Sequence, residues 1–389
     1  MGGLKGKIGL LAASFVMMSY AAATPILANV AKSFPEASKL SIQMLTTMPC
    51  LVEIVISICM QWLTPHISKK RLIIISGIIN LFAGILLYFY HPTIISMIVI
   101  SGTLGIVNGV GVPCVPGLIC DTYNERESGI LLGMQGGFIS GGAMVFMWIS
   151  GQLSVKEWKN AYLVFLLMIP AILAEILLLP EGKLDPKKSR TEKRDKIPSS
   201  IWIYTALLLI FNTLIYAFNT NISMLVDVRG FGGSLETSYV TTFYGLAGLA
   251  AGCSVGFIIP KLRQQTYSLA VVLSVVGTLI CYFSPSLLLL RAGGVFCGLG
   301  FTTMVPAANY FASMESTDYN RMFCVAMINT GCNCGIFLSP VVFGALHVTT
   351  EKTFLGAAVG LAILLIPTIA LSALYIKNDS KSQTKKAAV

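Results

Sequence analysis

The chain is a succession of apolar runs, each about as long as the hydrocarbon core of a bilayer is thick. About twelve recur along it, near 8–30, 41–64, 71–91, 93–119, 129–153, 160–180, 200–225, 238–260, 266–284, 286–311, 322–346 and 353–376. A spanning helix needs roughly 20 apolar residues, because each residue advances it by about 1.5 Å. In lipid the backbone must satisfy its own hydrogen bonds, which leaves helices and closed barrels. A barrel would show short segments of alternating polarity, and that pattern is absent. The expected fold class is an all-α membrane protein with about twelve transmembrane helices. Composition agrees: 55% of residues are hydrophobic and 11% charged, against about 25% charged in soluble domains.

The net charge of +10 does not point to nucleic acid, because basic residues sit in the short polar gaps and not in aromatic-interleaved patches. Counting alternate gaps, about 20 of the 27 Lys and Arg fall on one side. They are Lys5, Lys7, Lys69, Lys70, Arg71, Arg126, Lys261, Arg263 and Arg321, with those of segment 181–199 and of the tail. The other side holds Lys32, Lys39, Lys156, Lys159, Arg229, Arg291 and Lys352. A basic excess marks the cytoplasmic side. Both termini are therefore expected in the cytoplasm and the chain in the cytoplasmic membrane. The N-terminal run is longer than a signal-peptide core and reads as the first span.

The ten cysteines lie mostly inside apolar runs and read as packing residues. The three histidines fall near run ends, so neither a metal site nor a cofactor is expected. Glycine-rich stretches at 102–111, 136–142 and 293–300 contain no G-x-x-x-x-G-K-[ST] and read as close helix packing. Asp121, Glu125, Arg126 and Glu127 cluster in one gap and read as an ordinary loop.

Segment 181–199 is the one long polar stretch, a charged linker that splits the chain into residues 1–180 and 200–376, followed by a tail, 377–389. The halves repeat in spacing. Gln61-x-x-x-Pro65-His66-x-Ser68-Lys69-Lys70 follows the second run, and Gly256-x-x-x-Pro260-Lys261-x-Arg263-Gln264-Gln265 follows the eighth. The prolines stand 260 − 65 = 195 positions apart. Pro65, Lys69, Lys70 and Arg71, with Pro260, Lys261 and Arg263, are the candidate gate loops.

These features resemble the major facilitator superfamily. Its motif between spans two and three, G-x-x-x-D-R-x-G-R-R, keeps its basic end here, while Gln61, Pro65 and Ser68 replace the Gly, Asp and second Gly. The Asp anchors a charge network in the family, so that network must be altered. The fourth run is similar to the family's R-x-x-x-G-x-G-x-G, with Ser101 for the Arg. The fifth is similar to the exporter branch's G-x-x-x-G-P-x-x-G-G, reading Gly133, Gly137, Phe138, Gly141 and Gly142. The stretch from Trp158 to Glu181 resembles the Gram-positive drug-exporter-like members. The resemblance implies two pseudo-symmetric six-helix bundles, a cavity between them that alternates its access, and a monomer.

Glu53 sits about twelve residues into its run, about 18 Å from the end. A carboxylate at mid-bilayer costs about 3 kcal/mol or more to insert. Such a group can load and release a proton or contact a cation, or serve as a neutral acid between helices. Glu175 lies nearer a run end. Asn212, Tyr216, Asn219 and Ser223 share one helix face. A shift of 195 carries Asn212 to Met17 and Asn219 to Thr24, which share a face with Tyr20. A polar face in an apolar helix lines a cavity or joins a neighbouring helix. In the family these two helices line the central cavity. Asn108, Gln135, Tyr244, Asn309, Asn329 and Asn333 are further candidates for contact with a small-molecule substrate.

No Lys or Arg lies deep in a run, which disfavours small dianions. The expectation is a secondary transporter, coupled to protons or another ion, that exports amphipathic neutral or cationic compounds. Alternatives are proton-coupled uptake of a small neutral metabolite and a non-transporting membrane sensor. No catalytic constellation suggests an enzyme.

Overall fold

Each apolar run folds as a helix. The computed structural model describes residues 3–182, 184, 197–317 and 320–387, without the side chains of 125, 321, 322 and 374–387. The spans are 1 (Leu4–Ser33), 2 (Lys39–Leu63), 3 (Lys69–Phe89), 4 (Ile94–Thr122), 5 (Arg126–Leu153) and 6 (Trp158–Leu178). The second half supplies 7 (Ser199–Val228), 8 (Ser234–Leu262), 9 (Gln265–Phe283), 10 (Leu287–Glu315), 11 (Phe323–Ala345) and 12 (Thr350–Ala373). Ser38, Ser68, Thr93, Asn124 and Ser286 cap helix starts, each side chain accepting a backbone N–H three residues on. The surface between the span ends carries exposed Ile79, Phe82, Leu173, Leu177, Ile363 and Ile366, as a bilayer-facing surface requires.

Two spans that face each other across the halves are broken midway. Span 1 is α-helical over Leu4–Val16, 3-10 over Ser19–Ile26, then α-helical again to Ser33. Span 7 is interrupted at Tyr216. Such discontinuities at the bilayer midplane free backbone groups where a cavity can use them.

Packing is densest within the first six spans and within the last six. The two sets meet along spans 5 and 8, spans 2 and 11, and spans 1 and 7. The repeat extends to the helix crossings. A Cβ on Gly105 would overlap the Pro49 carbonyl, and one on Gly298 the Tyr244 carbonyl. A Cβ on Gly142 would overlap the Phe15 carbonyl, and one on Gly335 the Leu209 carbonyl. The matching offsets are 298 − 105 = 193, 244 − 49 = 195, 335 − 142 = 193 and 209 − 15 = 194. Span 2 thus crosses span 4 as span 8 crosses span 10, and span 1 crosses span 5 as span 7 crosses span 11.

The expected linker, 181–199, falls mostly outside the described residues. The expected tail continues helically from span 12 to Ala387. The gate loops are tighter than expected. Pro260 and Lys261 lie in the last turn of span 8, and Lys69, Lys70 and Arg71 in the first turn of span 3. The turn between spans 8 and 9 is Arg263 and Gln264, with Arg263 at a left-handed φ of 49°.

Candidate functional site

Glu53 is 4% exposed, and both its oxygens are occupied. Asn108 Nδ2 donates to Oε2 at 2.6 Å and Asn333 Nδ2 to Oε1 at 2.8 Å. Asn108 belongs to span 4 of the same half and Asn333 to span 11 of the other. One carboxyl group therefore bridges the two halves.

The local sequence dictates this placement. Spans 2 and 4 approach closely because Gly105 and Gly109 present no side chain to Pro49, Ile56 and the Glu53 carbonyl. Hydroxyls reinforce the seam: Ser57 donates to the Gly109 carbonyl and Ser101 to the Leu45 carbonyl. With the helices this close, an amide at 108 reaches a carboxyl at 53. On the other side, Gly331 and Gly335 let span 11 lie against Thr205 and Leu209 of span 7.

Tyr20 and Tyr216, at the breaks of spans 1 and 7, lie within electrostatic reach of Glu53. Cys50 Sγ contacts the Tyr20 hydroxyl at 3.6 Å. Asn219 donates to the Tyr244 hydroxyl at 3.4 Å, and Tyr244 stacks on Phe218 with ring centroids 5.0 Å apart.

Among the described residues, the other expected positions do not bond to Glu53. Met17 packs against Gly111 of span 4, and Thr24 is buried in the 3-10 stretch. Asn212 donates to its own helix at the Leu208 carbonyl and packs on Gly335. Asn329 donates to the Val325 carbonyl. Gln135 is buried on span 5, and Asn309 holds an unpartnered Oδ1 on span 10. Glu175 is fully buried with neither oxygen partnered, one of them facing Gly77 of span 3.

Spans 5 and 8 show which side is open. Their antiparallel seam widens steadily toward the end that carries the linker. A Cβ on Gly151 would collide with Ser238; one on Gly245 would stand 2.6 Å from Met144, one on Gly141 3.2 Å from Leu249, and one on Gly137 4.0 Å from Cys253. At Gly133 and Gly256, one turn further, nothing lies within 4 Å. The halves part on this linker face.

The far face is sealed. Ser223 of span 7 accepts from the Ala28 amide at 3.1 Å and donates to the Pro25 carbonyl at 2.8 Å. Gln43 Nε2 donates to the Thr220 carbonyl at 3.1 Å and to Asn221 Oδ1 at 2.9 Å. Lys32 pairs with Asp227, and Ser154 with Ser234. Sequence reasoning singled out Ser223 but missed Gln43 and the Lys32–Asp227 pair. A signal existed: 227 − 32 = 195 and 223 − 28 = 195, the offset of the two prolines. Equivalent residues touch because they lie on the pseudo-two-fold axis.

The linker face carries a different charge network from the family motif's. Lys69, 5% exposed, donates to Asp121 at the end of span 4 at 2.8 Å. Lys7 of span 1 pairs with Glu127 of span 5 at 2.7 Å. Asp121 and Glu127, expected as plain loop residues, thus tie spans together. In the second half a chain of hydrogen bonds that ends on a carboxylate does the same work. Gln264 donates to the Tyr204 hydroxyl and Tyr204 to Glu315, joining the turn before span 9 to spans 7 and 10.

The sequence profile of the Major Facilitator Superfamily matches residues 9–264 and again 231–389. The fold is similar to the crystal structure of a mutant nucleoside transporter, NupG, with TM-score 0.76 and 12% identity over 94% of this chain and 99% of that one. It is similar to a bacterial homologue of the human lysosomal transporter Spinster in an inward-facing, unoccupied conformation, with TM-score 0.67 and 13% identity over 96% of each chain. It is also similar to the human organic anion transporter MFSD10, with TM-score 0.68 and 11% identity over 94% of this chain and 99% of that one. No curated relative matches the sequence significantly. Such identities speak for the fold alone. The profile matches span nearly the whole chain, and the chain belongs to the Major Facilitator Superfamily of secondary transporters.

Proposed function

We propose that this chain is a proton-coupled transporter of small neutral or cationic organic solutes, with Glu53 as the coupling group. Residues 1–180 and 200–376 would rock about the central site, exposing it to one face at a time. The observation that carries the reading is the bridge from Glu53 to Asn108 and Asn333, one amide from each half. An amide N–H donates well to a carboxylate. Once one oxygen holds a proton it no longer accepts as strongly, and the contact between spans 2 and 11 weakens. Proton binding and the relation between the halves are then one equilibrium.

The surroundings favour the solute class. Amides, tyrosines and cysteines flank Glu53, and no Lys or Arg bonds to it among the described residues. A cation would meet the carboxylate directly, whereas a neutral polar solute would exchange hydrogen bonds with the amides. The direction we propose is export by antiport. A solute that engages Glu53 must displace Asn333 and excludes the proton, so the two travel oppositely. Uptake of a small neutral metabolite is the second reading, favoured by amides at the site that can bind a solute without touching Glu53. NupG, a nucleoside transporter, shares the fold. With the basic linker face as the cytoplasmic side, the cavity opens inward.

The test is luminal pH in liposomes bearing the purified chain, challenged with neutral, cationic and anionic solutes. Proton movement driven by neutral or cationic solutes supports the reading. Movement driven only by anions, or by none, refutes it.

A further inference from the structure

The far-face ends of spans 8 and 10 flank a groove of about 600 Å³. Phe243 lines it from span 8, and Leu288, Leu289 and Val295 line it from span 10, with Ser286 and Arg291 as polar groups. Leu288 and Phe243 are exposed, and the groove lies toward the far face, where the halves are sealed against each other, so we read it as opening to the bilayer.

Arg291 stands one turn into span 10. Its guanidinium carbon lies 5.3 Å from the centroid of the Tyr239 ring and 6.0 Å from that of Phe243. These two rings hold it against the protein. Its Nε is buried and unpartnered, and no carboxylate pairs with it among the described residues. Arg229, also at the far face, shows the contrast: it pairs with Glu351 and donates to the carbonyls of Cys281, Tyr282 and Ser284. A guanidinium on an apolar wall needs acceptors for its N–H groups, and with no carboxylate or carbonyl bonded to Arg291 among the described residues an anion would supply them.

We infer that this groove binds an anionic phospholipid of the far-face leaflet, with its phosphodiester on Arg291 and an acyl chain along Leu288, Leu289, Val295 and Phe243. The guanidinium fork matches two phosphate oxygens. A lipid reaches the groove laterally, and its chain covers apolar walls that a soluble anion would leave bare. Without a carboxylate beside Arg291 to receive an ammonium, a net-negative headgroup fits better than a zwitterionic one.

Native mass spectrometry of the full-length protein tests this, with phosphatidylglycerol and phosphatidylcholine supplied together. Wild type should retain phosphatidylglycerol in preference. Arg291→Gln should lower that preference about fivefold, and Arg291→Lys should lower it less. Val295→Trp, which fills the groove and leaves Arg291 in place, should reduce bound lipid of both kinds. If Arg291→Gln does not fold, Val295→Trp decides alone. Equal retention of the two lipids by wild type overturns the inference, as does full retention in Arg291→Gln or in Val295→Trp. Displacement of the lipid by millimolar inorganic phosphate also overturns it, since the site would then serve a free anion.

Discussion

Replacing Ser223 with Ala should tilt the protein from its linker-open form toward the opposite one. Ser223 is buried, 2% exposed, and makes two hydrogen bonds across the far face, to the Ala28 amide and the Pro25 carbonyl. Each contributes about 0.5–1.5 kcal/mol, or about 1–3 kcal/mol together. Spans 1 and 7 must separate there when the far face opens, so the whole loss acts on one state. The ratio of linker-open to far-open molecules should fall about 5- to 150-fold. Hydrogen exchange read by mass spectrometry suits the measurement, because ten native cysteines complicate thiol labelling. Peptides from the linker-face ends of spans 5 and 8 should become more protected, and those from the far-face ends of spans 1 and 7 less. Lys32→Ala provides the contrast. The Lys32 and Asp227 side chains are 65% and 30% exposed, and such pairs contribute about 1 kcal/mol at most and are screened by salt. Its shift should stay within about fivefold and vanish at high ionic strength. Unchanged exchange in Ser223→Ala, or a larger effect from Lys32→Ala, would refute the reasoning.

Gly105→Ala should destabilise the protein by about 1–3 kcal/mol, because the new Cβ overlaps the Pro49 carbonyl. Gly133→Ala, which meets nothing within 4 Å, should be neutral or stabilising by up to about 1 kcal/mol, and thermal unfolding compares the two. Glu175→Leu should stabilise by about 1–3 kcal/mol, since it removes a carboxyl group whose two oxygens are buried and unpartnered; a lower unfolding midpoint would show that Glu175 has a partner in solution. Asn333→Leu should weaken coupling and, because it leaves Glu53 Oε1 buried without its partner, lower stability by about 1–3 kcal/mol; solute-driven proton flux per folded protein, read beside thermal unfolding of the same preparation, separates the two effects.

Much of the fold was legible because lipid leaves the backbone few options, so length and apolarity alone located the spans. The prominence of Glu53 and the 195-residue offset were legible for similar reasons. A carboxyl group is rare at mid-bilayer, and a duplicated half keeps its turn spacing. The partners of Glu53 were harder to see. Asn108 and Asn333 stood among a dozen polar residues, and only the close approach of spans 2 and 4 at Gly105 and Gly109 singles out the first. Asn212 shared a helical face with Tyr216, yet it packs on Gly335 at the crossing of spans 7 and 11, because one face can serve a cavity and a crossing at different heights. Lys32 counted only as one of the basic residues in the gaps, and Asp227 was not singled out. Applying the same offset to charged residues would have paired them.

The central claim is that Glu53 couples the solute to the proton. Reconstituted wild type and Glu53→Gln should be compared in two modes, solute exchange at equal pH and uphill solute movement driven by a pH gradient. Glutamine keeps the size and can still meet Asn108 and Asn333 but cannot carry a proton. For a neutral solute the account predicts that the variant exchanges it yet loses all gradient-driven accumulation. Uphill transport by Glu53→Gln at the wild-type level would contradict it.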